Sequence, residues 1–184
     1  MAFGERGFVT FDLETTGLIE EGAPLPQVLC AATMVMHRIE GVAGKFSTEP
    51  TVTWPSQEGL PESRPPIPMD TDQLLVLVDY LCECCGTGEV RLLAWNGVGY
   101  DLRLLHALFT SSGHPRAQEA ALRVKQLALC SCDPMLAFAF GRGFPVGLQA
   151  TASVLPSGAM YKTGEGVECE HQWMEVAPAL CTPS

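Results

Sequence analysis

The sequence predicts an α/β fold, and three observations lead to that class. Residues 8–14 alternate apolar and polar side chains with the period of a strand, and two further strand-like stretches at 27–38 and 44–53 follow as an antiparallel meander. From residue 70 onward the apolar positions switch to helical spacing. Between two such helical stretches a short apolar run at 91–95 returns as a strand, so strands and helices share one layered unit.

Taken in order, the first strand covers 8–13, where Phe8, Thr10, Asp12 and Glu14 alternate with Val9, Phe11 and Leu13, which puts both acids on one face. The stretch 50–68, rich in Pro, Ser and Glu, reads as a long surface loop between the meander and a helix at 70–85, and not as a domain boundary. Val90 and Leu92 to Trp95 form the returning strand, with Trp95 in it as a core residue. Asn96 and Gly97 break that strand, and Leu102, Leu105, Leu108 and Phe109 recur at helical spacing, so Asp101 opens a helix just beyond a strand end. Helices are predicted near 100–112, 115–129, 133–140 and 147–155. A chain of 184 residues with 47% hydrophobic content suffices for one domain, assigned to residues 1–173, with a short tail at 174–184.

Asp12 and Glu14 carry the chemistry. Side by side in a partly desolvated cleft they would repel, and one would take up a proton unless a divalent cation supplied the compensating charge. Asp101 adds a third carboxylate from a distant part of the chain. Alone, an acid in a helix's first turn is what the macrodipole favours anywhere, and Thr15-Thr16-Gly17 alone is an ordinary exit from strand to turn. Together they read as a two-metal carboxylate site.

The run Phe11-Asp12-Leu13-Glu14-Thr15-Thr16-Gly17-Leu18, answered by Trp95-Asn96-Gly97-Val98-Gly99-Tyr100-Asp101-Leu102-Arg103-Leu104-Leu105, resembles the DEDD superfamily of 3′-to-5′ exonucleases, proofreading-type nucleases with a ribonuclease H-like fold. Asp12 and Glu14 match the metal ligands of the family's first motif, Asp-x-Glu-Thr-Thr-Gly, and Asp101 matches the acid of the second, Asn-Gly-x-x-(Phe/Tyr)-Asp-x-x-x-Leu. A softer likeness, to the region before the third motif of tyrosine-type members, lies in Asp133-Pro134-Met135, in 143–148 and in 162–166, so the resemblance spans roughly residues 7–173. It implies a mixed five-stranded sheet flanked by helices. It also implies two Mg2+ or Mn2+ ions about 3.5 to 4 Å apart, bridged by Asp12 with Glu14 and Asp101 completing the shell, for in-line hydrolysis of a phosphodiester. Thr15, Thr16, Gly17 and Leu18, with Asn96 and Tyr100, are implied contacts to the terminal nucleotide, Gly17 by allowing close backbone approach.

The chain departs from the family at its end. Members close the site with a late Asp on a helix, preceded by a Tyr four residues earlier or a His five earlier. Here two prolines stand in the last seven residues, which will not carry a helix, so that helix is expected to be missing or diverged. Tyr161 followed by Glu165 has the tyrosine-type spacing and makes Glu165 the candidate fourth acid, although Gly164 and Gly166 give it a loop setting. His171 has Val176 five residues on, and no acid. Three expectations stand side by side: an exonuclease with an unusual third motif, a non-catalytic module of the same fold that binds nucleic acid or protein, and an incomplete product of a longer relative.

Net charge narrows the substrate. With 11 basic and 21 acidic residues the chain carries −10, and Arg103, Arg116, Arg123, Lys125 and Arg142 are scattered with no basic run. Affinity for long duplexes rests on Lys and Arg displacing counterions, so the expected partner is a single-stranded DNA or RNA 3′ end or a short oligonucleotide, gripped largely through metal. A protein partner that delivers substrate is a further expectation. The eight cysteines, densest in Cys82-Glu83-Cys84-Cys85 and Cys130-Ser131-Cys132, lack zinc-knuckle spacing and read as small buried hydrophobes with free thiols. Trp54, Trp95 and Trp173 are too dispersed for a base-stacking platform. With no signal peptide and no apolar run near ~18 residues, an intracellular, cytoplasmic setting and no membrane contact are expected.

Overall fold

Alternation along the first strand makes it two-faced. In a computed structural model describing residues 7–41, 45–54, 67–86 and 88–142, β1 (Gly7–Thr15) buries Val9, Phe11 and Leu13, while Asp12 is exposed and Glu14 half-buried on the opposite face. Antiparallel to it runs β2 (Val28–Arg38), in a register that sets Asp12 opposite Ala32 and Glu14 opposite Cys30. The register shifts between Glu14 and Thr15, a bulge that bends the strand as it leaves the acids.

The stretch 44–53 is not one strand, as expected from its pattern, but two short ones within its described part. β3 (Phe46–Thr48) pairs with Met36 to Arg38 of β2, and β4 (Val52–Trp54) pairs with Ala31 to Thr33. Between Thr48 and Val52 the chain carries one residue more than β2 does between Met36 and Thr33, so the register shifts and the ladder is interrupted in the segment that holds Pro50. β5 (Val90–Leu93) runs parallel to β1 and pairs with it from Gly7 to Thr10. The outcome is an α/β fold with a mixed five-stranded sheet, ordered β3-β2-β1-β5 with β4 also on β2.

The returning strand ends earlier than its apolar run suggests. Ala94 N–H donates to Cys132 O at 3.3 Å, and Trp95 stands half-buried in the following turn rather than in the strand core. Asn96 is the cause, since its φ of 58° is left-handed and leaves the extended path.

Helices cover the sheet face lined by Val9, Phe11 and Leu13. α1 (Thr71–Cys85) begins in a capping box, in which Gln73 N–H donates to Asp70 Oδ1 at 2.8 Å and Asp70 N–H to Gln73 Oε1 at 3.0 Å. Met69 N–H donates to Val28 O at 2.7 Å and ties this start to β2. α1 buries Leu74, Leu75, Leu77, Val78 and Leu81; α2 (Asp101–Ser111) buries Leu102, Leu104, Leu105 and Phe109. Each such fully buried side chain contributes about 1.5–3 kcal/mol. α3 (Ala117–Cys130) turns the small side chains of Ala117, Ala120 and Ala121 inward, which lets it pack closely on α1 and α2. Arg116 and Arg123 both reach Asp79 of α1, at 2.9 and 2.6 Å, in exposed ion pairs that solvent screens. α4 (Pro134–Arg142) starts on a proline, whose missing N–H costs nothing in a first turn.

Cysteine burial differs from the expectation. Cys30 is buried, Cys82, Cys84, Cys85 and Cys132 are partly exposed, and Cys130 is exposed, all as free thiols. Burial pushes the Cys85 thiol up to about 12, so it stays neutral. No described helix is long and apolar enough to cross a membrane. The predicted helix at 147–155, Glu165, His171 and the tail at 174–184 lie outside the described residues.

Candidate carboxylate site

The site forms where β1 outruns its parallel neighbour. β5 accompanies β1 only to Thr10, and beyond that point the Leu13 N–H is received by Asp101 Oδ1 at 3.3 Å. Leu13 is the residue between Asp12 and Glu14, and Asp101 is 88 residues away in sequence. The carboxylate that closes this contact is only 4% exposed, one of few buried polar side chains among the described residues.

What brings it there is the turn between β5 and α2. Asn96 adopts the left-handed conformation that Asn tolerates better than most residues. Gly97 and Gly99 have no room for a side chain, since a Cβ would strike Ala94 Cβ at the first and Asn96 Oδ1 at the second. Tyr100 N–H then donates to Asn96 O at 2.9 Å and Leu102 N–H to Gly97 O at 2.8 Å, which starts the helix with Asp101 in its first turn.

Electrostatics follow from this placement. Burial pushes the Asp101 carboxyl up to about 7, and the nearby charges of Asp12 and Asp133 add to the rise, against the lowering effect of the Leu13 N–H. The charge of Asp12 is thus felt at Asp101. An oxygen-only donor set with a surplus of negative charge suits a hard divalent cation. Among the described residues, however, no three His, Cys, Asp or Glu side chains are gathered into a ready metal-binding group. Asp12, Glu14 and Asp101 share one strand end without closing into a coordination shell.

The neighbouring motif residues are engaged with each other. The Tyr100 hydroxyl donates to Gly17 O, Thr15 Oγ1 donates to the same carbonyl at 2.9 Å, and the two hydroxyls lie 2.7 Å apart. This cluster joins the exit of β1 to the start of α2. Thr16 and Gln27 exchange two bonds, Thr16 N–H to Gln27 O and Gln27 N–H to Thr16 Oγ1, both at 3.0 Å. Gly17 faces open space, and Leu18 is 74% exposed. Both border an open pocket of about 370 Å³ whose other walls are Thr16, Pro24, Leu25, Pro26 and Gln27.

One residue at the site has no assigned role in the sequence motifs. The Asp133 carboxylate accepts from Asn96 N–H at 3.0 Å, Val98 N–H at 3.2 Å and Met135 N–H at 3.1 Å. Its sequence signal is an Asp directly before a Pro that opens a helix, the pattern of an N-cap and its first helical residue. That pattern foretells the bond to Met135 and says nothing of the other two. Neither the family models nor the curated proteins searched with this chain give a match.

Proposed function

We propose that this protein is a metal-dependent 3′-to-5′ exonuclease of the DEDD type, with a ribonuclease H-like fold, that hydrolyses phosphodiesters at single-stranded DNA or RNA ends or in short oligonucleotides. The observation that carries the reading is the Leu13 N–H to Asp101 Oδ1 hydrogen bond, which joins the two acid-bearing motifs at the residue between Asp12 and Glu14. The mixed sheet, with β1 antiparallel to β2 and parallel to β5, is compatible with that fold.

In this reading Asp12, Glu14 and Asp101 would hold two Mg2+ or Mn2+ ions, which when bound supply an activated water at neutral pH and offset charge on the leaving 3′-oxygen. The protein's own part is positional. Leu13 N–H orients the Asp101 carboxylate, and the exposed face of β1 presents Asp12 to an incoming phosphodiester. Thr15 and Tyr100 hold the Gly17 carbonyl, so Leu18 projects beside the pocket as an apolar surface for a terminal base.

The test is release of labelled nucleotides from the 3′ end of short single-stranded DNA and RNA with Mg2+ or Mn2+. Wild-type protein releases mononucleotides, and Asp12→Ala lowers the rate by about 100-fold or more. A folded wild-type chain that releases nothing overturns the proposal. A second reading is a silent module of the same fold that binds nucleic acid or protein, in which the net charge of −10 leaves a bound cation to bridge any polyanion. It predicts metal-dependent binding of an oligonucleotide, read by fluorescence anisotropy, with no cleavage.

A further inference from the structure

We propose that Asp133 is a positioning residue that holds the Asp101 carboxylate beside β1, an inference whose catalytic consequence rests on the exonuclease reading. The turn after β5 turns the Asn96 and Val98 N–H groups away from any strand ladder; that of Asn96 is part-buried and needs an acceptor, while that of Val98 lies at the surface. Asp133 accepts from both, at 3.0 and 3.2 Å, with one carboxylate. A charged acceptor makes these bonds stronger than neutral ones.

Asp133 is itself fixed from two sides. Just before it, Cys132 forms a parallel bridge to Leu93, donating its N–H to Leu92 O at 2.7 Å and accepting from Ala94 N–H. Just after it, Pro134 opens α4, whose Met135 N–H is capped by the same Asp133 Oδ1 that receives Asn96. The links therefore close a ring. β5 holds Cys132, Asp133 holds Asn96 and Val98, the turn starts α2, and α2 carries Asp101 to Leu13 of β1, which pairs with β5. Opening the ring at Asp133 frees the turn at one end, and Asp101 shifts against the strand. A displacement of about 1 Å at a reacting group costs roughly 100-fold in rate.

The plain alternative is that Asp133 only caps α4. Asp133→Ser separates the two roles, because a serine oxygen still caps Met135 but cannot span both Asn96 and Val98. Asp133→Asn keeps the reach and one acceptor, and serves as the conservative variant. The experiment is amide hydrogen exchange on the full chain, wild type and both variants, read at Leu13, Asn96, Val98 and Met135, with nucleotide release measured in parallel.

In Asp133→Ser, exchange at Val98, whose acceptor is the other carboxylate oxygen, rises about tenfold or more, Leu13 rises with it and Met135 keeps its protection. kcat falls about 10- to 100-fold with KM within about twofold, and Asp133→Asn lies between serine and wild type. Opening of Val98 with Leu13 unchanged overturns the proposal, as does a serine variant as active as an active wild type. If wild type releases no nucleotide while the amides behave as described, Asp133 keeps its positioning role and the exonuclease reading is what fails. Should Asp133→Ser not fold, the same amides are read in Asp133→Asn, where unchanged Leu13 exchange beside faster Val98 exchange is again the overturning result.

Discussion

Asp101 is a carboxyl group that folding takes out of water beside another acid, and its proton is the most direct consequence. Its carboxyl is pushed from an ordinary 3.8 to about 7, so between those values the folded chain keeps a proton that the unfolded chain gives up. The stability tied to this group is therefore fully present below about pH 4 and is lost as pH rises towards 7, on the order of a few kcal/mol. Asp101→Asn removes the titration while its amide oxygen still accepts the Leu13 N–H. Urea denaturation with chelator at pH 4.5, 6 and 7.5 then shows a steeper loss of stability for wild type than for the variant. Equal slopes would show that Asp101 titrates normally. At this scale the sequence was a good guide to which side of β1 the acids take, because alternation alone separates Asp12 and Glu14 from the core. It was a poor guide to Asp133, whose bonds to Asn96 and Val98 cross 37 and 35 residues.

Turn chemistry decides what the elements deliver. Asn96 and Gly97 read in sequence as a strand breaker, and in the fold they and Gly99 are what swings α2 so that its first residue reaches β1. At Gly97 any Cβ meets Ala94 Cβ, which has no rotamer to turn aside, whereas at Gly99 it meets the end of the Asn96 side chain. Gly97→Ala is expected to destabilise the chain by about 1–3 kcal/mol, as overpacking does, and Ala94→Gly in the same chain recovers part of that by removing the clashing methyl. Denaturation midpoints of the two single variants and the double variant check this, and strictly additive losses would count against the clash. Element boundaries were legible wherever a cap or a proline marks them, as at Asp70 and Pro134. The 44–53 stretch was misjudged because its pattern suits a strand throughout, while four steps from Thr48 to Val52 oppose only three from Met36 to Thr33, an extra residue that breaks the register.

For the whole molecule the net charge of −10 sets how any polyanion is met. A basic nucleic-acid binder loses affinity steeply with salt through counterion release. This chain, if it holds its substrate chiefly through cations at the carboxylates, should show a KM for short single-stranded DNA that changes less than about threefold between roughly 50 and 200 mM salt at constant Mg2+. A steep rise in KM would point instead to a basic contact surface formed in the folded chain.

By itself the sequence determined the α/β class, the order of the described strands and helices apart from the split at 44–53, and the face of β1 that carries the acids, because period and capping act over a few residues and need no partner. Tertiary structure alone decided that β5 stops at Thr10, that Asp101 lands on Leu13 N–H with its proton held up to about 7, and that Asp133 clasps the turn between them. Those outcomes depend on unpaired backbone groups and burial created only when distant segments meet, and no local pattern encodes where such segments end opposite one another.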